Sequence, residues 1–311
     1  MNEPVRTGAP EAPVEAPPLL AGPARPARDP LARGAGAATL ERVISGGRAA
    51  LAILEEVERA EAAPAGSRRP RKPAEEPAFL LHSYPWSESS LVLDALTARF
   101  GRVFLIARGA KRPGSNLRGV LVPFTPLKLT WTGRKEAKVL TCAEWFGVLP
   151  PLRGEALLSG FYVNELVLRL TEREDPHPGL FTAYVRVMEA LCEDAAADRQ
   201  RGLRAFEAEL LRICGWPVAI DETGGEDGSG AERFWRLGEL GALVPARAPA
   251  DPAQARFRAW GDALVRDVLA GRLESPEALR AAREIYREAI ELRLDGRPLR
   301  SRRILAELKR L

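Results

Sequence analysis

Apolar side chains change their spacing near the middle of the chain. Between Ala78 and Glu144 they fall in short alternating or continuous runs, whereas after Pro150-Pro151 they recur every three or four residues. Five runs predict strands: Ala78 to Tyr84, Ser90 to Thr97, Arg102 to Gly109, Pro126 to Trp131, and Glu136 to Glu144. In the second, Leu91, Leu93 and Ala95 alternate with Val92, Asp94 and Leu96; in the third, Val103 to Ala107 is continuously apolar, and both suit half-buried or fully buried strands. The link Ala98 to Gly101 is short enough for a hairpin, and Thr132-Gly133 supplies a second tight turn. Five short strands with an irregular insertion after the third fit the oligonucleotide-binding (OB) barrel, although an SH3-like barrel fits the strand count nearly as well.

The later spacing predicts helices. Leu157, Leu158, Phe161, Tyr162, Leu166 and Leu170 mark the first; Leu180, Tyr184, Val187 and Leu191 the second; Leu203, Phe206, Leu210, Leu211 and Ile213 the third, ended by Gly215 and Pro217. Within the first, Asn164 and Glu165 interrupt the apolar face, either as an exposed polar strip or as a polar site at a domain junction. A break follows from Trp216 to Ala246, with a glycine- and acid-rich loop at Gly224 to Gly230 and a hairpin built from Phe234 to Leu237 and Gly241 to Val244. Helices resume at Ala253 to Leu269 and at Pro276 to Leu292, the latter with Ser275 as N-cap, before a basic turn and a last amphipathic helix. The fold class is therefore α+β, with an OB barrel at 78–150 and a helical domain at 151–311 carrying a hairpin insertion at about 216–246.

Residues 1–77 contain 12 prolines, 18 alanines and no Phe, Trp or Tyr, so they cannot form a core and are expected to be disordered. Leu40, Val43, Ile44, Leu51, Leu54 and Val57 recur there at helical spacing, interrupted by Gly46-Gly47.

Charge sharpens the reading. The net +4 of the chain hides a barrel segment, 78–150, with ten Lys/Arg against four Asp/Glu, a body, 151–292, with 18 against 25, and an end, 293–311, with seven against two. A basic barrel on an acidic body is the asymmetry of a polyanion binder. Arg102, Arg108, Lys128 and Lys138 fall in strands, and Lys111, Arg112, Arg118, Arg134 and Lys135 in loops. These nine are the candidate DNA-binding residues, and Phe100, Phe104, Phe124 and Trp131 are interleaved with them either as core or as stacking surfaces. The loop Arg108 to Arg118 is the densest part, with glycines that let backbone approach a phosphate strand.

Catalytic constellations are missing. His82 and His177 have no second ligand at helical or loop spacing, and Cys142, Cys192 and Cys214 form no Cys-x-x-Cys, so each thiol reads as a small buried hydrophobe and no metal or other cofactor is expected. No phosphate-binding loop of the Gly-x-x-x-x-Gly-Lys-Ser/Thr type occurs. The chain reads as a non-enzymatic binding protein. Unpaired cysteines, short apolar runs and no charged-then-apolar leader point to the cytoplasm, beside the nucleoid, and away from membranes.

Several ordered segments carry a family resemblance: Pro85 to Leu91, Gly101-Arg102-Val103, Ala107 to Arg112, Leu117-Arg118-Gly119 with Pro123-Phe124, Phe161 to Leu166, Asp175 to Phe181, and Leu299 to Arg303. Together they resemble the bacterial RecO family of DNA repair and recombination proteins over residues 78–311. The resemblance implies an OB barrel followed by helices. It also implies a mediator of the RecF pathway that binds single- and double-stranded DNA, anneals complementary strands, and works with RecR to load RecA onto strands coated by single-stranded DNA-binding protein. Binding the acidic, apolar-ended tail of that coating protein calls for cations beside an apolar pocket, and Arg169, Arg186, Arg204 and Arg212 are the candidates. Some members carry a four-cysteine zinc motif in the region matching Trp216 to Ala246. Here that region has no cysteine, so Phe234, Trp235 and Leu243 are expected to hold the hairpin instead. Two other readings fit the composition: a general single-stranded nucleic-acid-binding or RNA-binding barrel, and an acidic protein-docking scaffold.

Overall fold

A computed structural model describes residue 55 and residues 75–147, 149–222, 233–246, 259–294 and 296–308. All lie within one unit spanning residues 40–311. The proposed helix at Leu40 to Val57, of which only Glu55 is described, and the loop Gly224 to Gly230 fall outside these residues.

Strands β1 (Glu76–Pro85), β2 (Leu91–Thr97), β3 (Gly101–Ala107), β4 (Pro126–Thr132) and β5 (Ala137–Trp145) close a barrel in the order β1-β2-β3-β5-β4. The strand bounds follow the alternation in the sequence, but the order adds something alternation cannot express. β3 pairs in parallel with β5, Phe104 opposite Ala137, while β4 closes antiparallel onto β1. A parallel neighbour requires a crossover. The connection 108–125 therefore runs across one end of the barrel, and its apolar side chains close that end. Ala110 is fully buried, Leu121 nearly so, and Leu117 and Val120 pack on the same cluster as Leu93, Val103 and Leu105. With these side chains turned inward, the cations between them are left facing water.

β1 shows why Phe79-Leu80-Leu81 is continuously apolar. Ala78 and Leu80 face the barrel interior, while Phe79 and Leu81 face the other way, into a second core shared with the helices. That core is built by α1 (Gly154–Leu170), α2 (Pro178–Leu191), α3 (Ala196–Ile213), α4 (Asp262–Leu269) and α5 (Pro276–Arg293). The Phe79 ring lies 4.9 Å from that of Tyr184 and 5.8 Å from that of Phe181. At Gly160 of α1, an added Cβ would sit 2.9 Å from the Phe124 ring, so the missing side chain makes the seat for that phenyl group.

Polar contacts fix the same junction. Asn164, 2% exposed, donates from Nδ2 to the Leu81 carbonyl (2.8 Å) and accepts at Oδ1 from the Tyr184 hydroxyl (2.7 Å). Glu165 accepts from the backbone N–H groups of Arg300 and Ser301 at the start of α6 (Arg300–Leu308), an anion at a helix N-terminus. Asn164 thus lies at the junction of α1 with the barrel, whereas Glu165, also no exposed strip, ties α1 to α6 within the helical domain. Replacing Asn164 by alanine orphans a buried carbonyl and a buried hydroxyl, and is expected to cost about 2–4 kcal/mol. Urea unfolding checks this, and an unchanged midpoint would rule the clamp out.

The hairpin β6 (Phe234–Leu237) and β7 (Leu243–Ala246) is joined by β8 (Trp260–Gly261), which pairs with β6. Helix was expected from Ala253. The described part of that stretch instead begins with β8, and α4 starts only at Asp262, because Trp260 pairs with Trp235 and is buried against the core. Trp235 and Leu243 are buried in that core, Phe234 half-buried, and the Trp235 indole donates to Asp262 (2.8 Å). With no thiol or imidazole anywhere in 216–246, the donor set does not fit a zinc ion. Ser275 caps α5 as its sequence suggests, accepting from Ala278 N–H at 3.0 Å.

Candidate nucleic-acid interface

The crossover and the turn 86–90 between β1 and β2 form one lip. Lys111 ties them together, donating from its backbone N–H to the Ser89 carbonyl (2.9 Å) and from Nζ to the Ser87 carbonyl (3.1 Å). Gly109, at φ +69°, makes the bend that brings the loop back over the barrel end. Arg108, Arg112 and Arg118 are exposed, and among the described residues no carboxylate lies within ion-pair distance of them or of Lys111. Unpaired cations on a loop braced from below give a surface that attracts phosphate without reading bases.

The remaining candidates are placed elsewhere. Arg134 and Lys135 are exposed in the turn between β4 and β5. Ala137 is level with Phe104, so this turn emerges toward the end of β3 that holds Gly101, away from the lip at Ala107. Lys128 reaches Glu75 (3.6 Å) and lies 4.5 Å over the Phe146 ring. Two strand cations are engaged inside the protein. Arg102 is held by Asp94 (3.1 Å) and by the Thr171 carbonyl (2.7 Å), and Lys138, 8% exposed, pairs with Glu174. Arg102 cannot meet a phosphate strand without breaking a buried ion pair, and Lys138 only by leaving the partly exposed Glu174, so the structure places both at a junction with the segment 171–176 and not on a free surface.

The partner of that junction was not foreseen. The segment 171–176, leaving α1, lies against β3: Glu174 N–H donates to the Arg102 carbonyl (2.8 Å), and an added Cβ on Gly101 would stand 2.3 Å from the Asp175 carbonyl oxygen. Arg173 stacks 4.1 Å over the Phe104 ring and pairs with Asp94 (3.2 Å) and Glu136 (2.7 Å). OB barrels commonly bind oligonucleotides on the outer face of β2 and β3. Here part of that face is covered by the chain itself, while the lip and the turn carrying Arg134 and Lys135 stay open.

Three of the four interleaved aromatics serve the cores, and the fourth, Phe104, is covered on the outer face of β3. Trp131 is 2% exposed and meets Phe100 edge-on at 5.4 Å; Phe124 is buried against Phe161; Phe104 lies under Arg173. The exposed indoles are Trp86 and Trp145. For Trp86 a signal was present: the residue stands in the polar turn Pro85-Trp86-Ser87-Glu88, outside any apolar period. The thiols divide as well. Cys192 and Cys214 are half-buried with pKa values pushed up by burial to about 11, whereas Cys142, expected inside, is exposed on β5.

On the helices, Arg169 pairs with Glu165 and donates to the carbonyls of Arg297 and Pro298, which fastens the C-terminal segment. Arg186 and Arg212 are exposed, the latter paired with Glu209 (2.7 Å). Arg204 is buried against Glu207 (3.1 Å) and lines a cavity of about 330 Å³ with Arg201, Val268, Leu269, Leu273 and Tyr286. No helix among the described residues is long and apolar enough to cross a membrane.

A closed OB barrel with a basic crossover over one end, fused through a shared core to a helical domain, defines a DNA-binding protein of the OB class. The chain belongs to the RecO family of DNA repair and recombination proteins. The profile of the Recombination protein O N-terminal domain matches residues 72–148, and that of its C-terminal domain residues 152–303. Among its relatives are DNA repair proteins RecO from Paraburkholderia xenovorans, 42% identical over 79% of this chain and 83% of the relative, and from Neisseria meningitidis, 43% identical over 75% and 88%. That of Aromatoleum aromaticum is 41% identical over 76% of this chain and 97% of its own length. Each is named for a role in DNA repair, and none of these names specifies a catalysed reaction.

Proposed function

We propose that the chain is a non-enzymatic recombination mediator. In this reading it binds single- and double-stranded DNA at the lip, anneals complementary strands, and acts with RecR in loading RecA onto strands coated by single-stranded DNA-binding protein. The observation that carries it is the set of exposed cations Arg108, Arg112 and Arg118, which have no ion-pair partner among the described residues, on a loop tied to the turn 86–90 by Lys111. Contacts to phosphate, rather than to base edges, leave those edges free, which annealing of any sequence requires. In this reading the coating protein docks at the cavity beside Arg201 and Arg204, whose apolar walls suit the apolar end of its tail; both arginines are paired in the chain itself, with Asp198 and Glu207, so the acidic groups of the tail must compete with those carboxylates.

Annealing of complementary strands coated with single-stranded DNA-binding protein tests the proposal. Acceleration is expected, and addition of RecR should promote RecA assembly on the same coated strand. Oligonucleotide binding without acceleration would reduce the protein to a general single-strand binder. Affinity with no steep salt dependence would favour the docking scaffold.

A further inference from the structure

We propose that the indole of Trp86 is a stacking platform for an unpaired nucleobase, which gives the lip a preference for single strands over duplex. The inference rests on reading the lip as the phosphate-binding surface.

Trp86 is 63% exposed. Every other tryptophan has a partner: Trp131 meets Phe100, Trp145 donates to the Val120 carbonyl, Trp216 lies under Arg293, and Trp235 and Trp260 donate to Asp262 and Glu284. Among the described residues no ring, cation or hydrogen-bond partner meets the indole of Trp86. Its backbone, by contrast, is fixed. Trp86 N–H donates to the Ser90 carbonyl (3.1 Å), Ser90 N–H donates to Ser87 Oγ (3.2 Å), and Lys111 holds Ser87 and Ser89 from the crossover side. A free aromatic face is thus carried on a braced turn that touches the basic loop. Such a face stacks any base, since every base has a π-surface. The surroundings favour a nucleobase over a protein side chain. Lys and Glu are depleted from protein contact surfaces, whereas this turn carries Glu88 and is tied to Lys111 of the basic loop. Glu88, the only carboxylate of the turn, disfavours phosphate there and leaves the backbone track to Arg108, Arg112 and Arg118.

The test compares the full-length chain with Trp86→Ala, Trp86→Phe and Arg112→Glu/Arg118→Glu, on a labelled mixed-sequence single strand and on its duplex. Trp86→Ala is expected to lose about 5- to 150-fold in single-strand affinity. Its duplex affinity and its salt slope should be unchanged, because no phosphate contact is removed, and Trp86→Phe should keep most of the single-strand affinity. The duplex measurement also reports that the variant is folded. Parent-like single-strand binding by Trp86→Ala, with both ligands weakened by the arginine pair, would overturn the stacking role and leave the lip intact. Equal loss on both ligands by Trp86→Ala would overturn it too, making the indole a support for the turn. Parent-like binding by every variant would remove the lip reading itself.

Discussion

Replacing Lys111 and Arg112 together by glutamate is expected to weaken binding to single strands and duplexes alike, by at least about 25- to 60-fold at 0.1 M salt, and to flatten the logarithmic salt dependence by about 2. The magnitude follows from counterion release, since each neutralised phosphate contributes about 0.7–0.9 to the slope. Uniform loss across sequences is expected because a cation on a loop meets phosphate oxygen and carries no base information. One complication comes from the structure. Lys111 Nζ also holds the turn 86–90 through the Ser87 carbonyl, so this variant loosens the lip as well as reversing its charge. Arg112→Glu/Arg118→Glu separates the two effects, because neither side chain has an ion-pair partner among the described residues. Oligonucleotide titrations at several salt concentrations give affinity and slope together. If the arginine pair binds and anneals like the parent at near-physiological salt, these cations are only a solvated face, and the exposed Arg297 and Arg300 near the C-terminus become the next surface to probe.

The barrel was legible because its strands obey a period-two rule that survives in one sequence. β2 and β3 differ from their expected ends by at most two residues, although the continuously apolar run Val103 to Ala107 proves fully buried on one face only, with Phe104 and Ile106 half-buried on the other. What stayed hidden depended on pairings between distant positions. Nothing local distinguishes Arg102, which meets Asp94 and Thr171, from Arg108, which meets neither; both read as basic residues near a strand end. Arg173 reads as one charge in an acidic run, yet it covers Phe104 from 69 positions away. Aromatic residues raise the same difficulty. Trp131 packs inward from a strand, and Phe100 and Phe124 pack inward from connections, so closeness to cations along the chain does not tell a stacking surface from core; Trp86 differs from them by its exposure.

The second large effect is expected at Asp94, where a carboxylate 5% exposed lies between two guanidinium groups. Asp94→Ala should destabilise the fold by about 3–5 kcal/mol, because removing one member of a buried charge cluster leaves the others desolvated without compensation. Arg102 bears most of this. Its side chain is 11% exposed and its Nε already lacks a partner, so after the substitution only the Thr171 carbonyl would remain to it. Arg173 contributes less, since it is 31% exposed and keeps Glu136. Urea unfolding measures the loss. Replacing the pair by apolar residues of similar volume, Asp94→Leu with Arg102→Met, should recover a large part of it, since the penalty lies in the uncompensated charge and not in a missing attraction. Recovery failing in the double variant would mean that the carboxylate acts through shape alone. The same variant also tests where DNA lies. Asp94→Ala removes one of the two carboxylates that hold Arg173 and so loosens the segment 171–176 from the outer face of β2 and β3, without touching the lip. If the lip is the binding surface, the folded protein should bind single strands no more weakly than the parent. A marked loss of affinity, with the lip residues unaltered, would show that the covered face of the barrel takes part in binding.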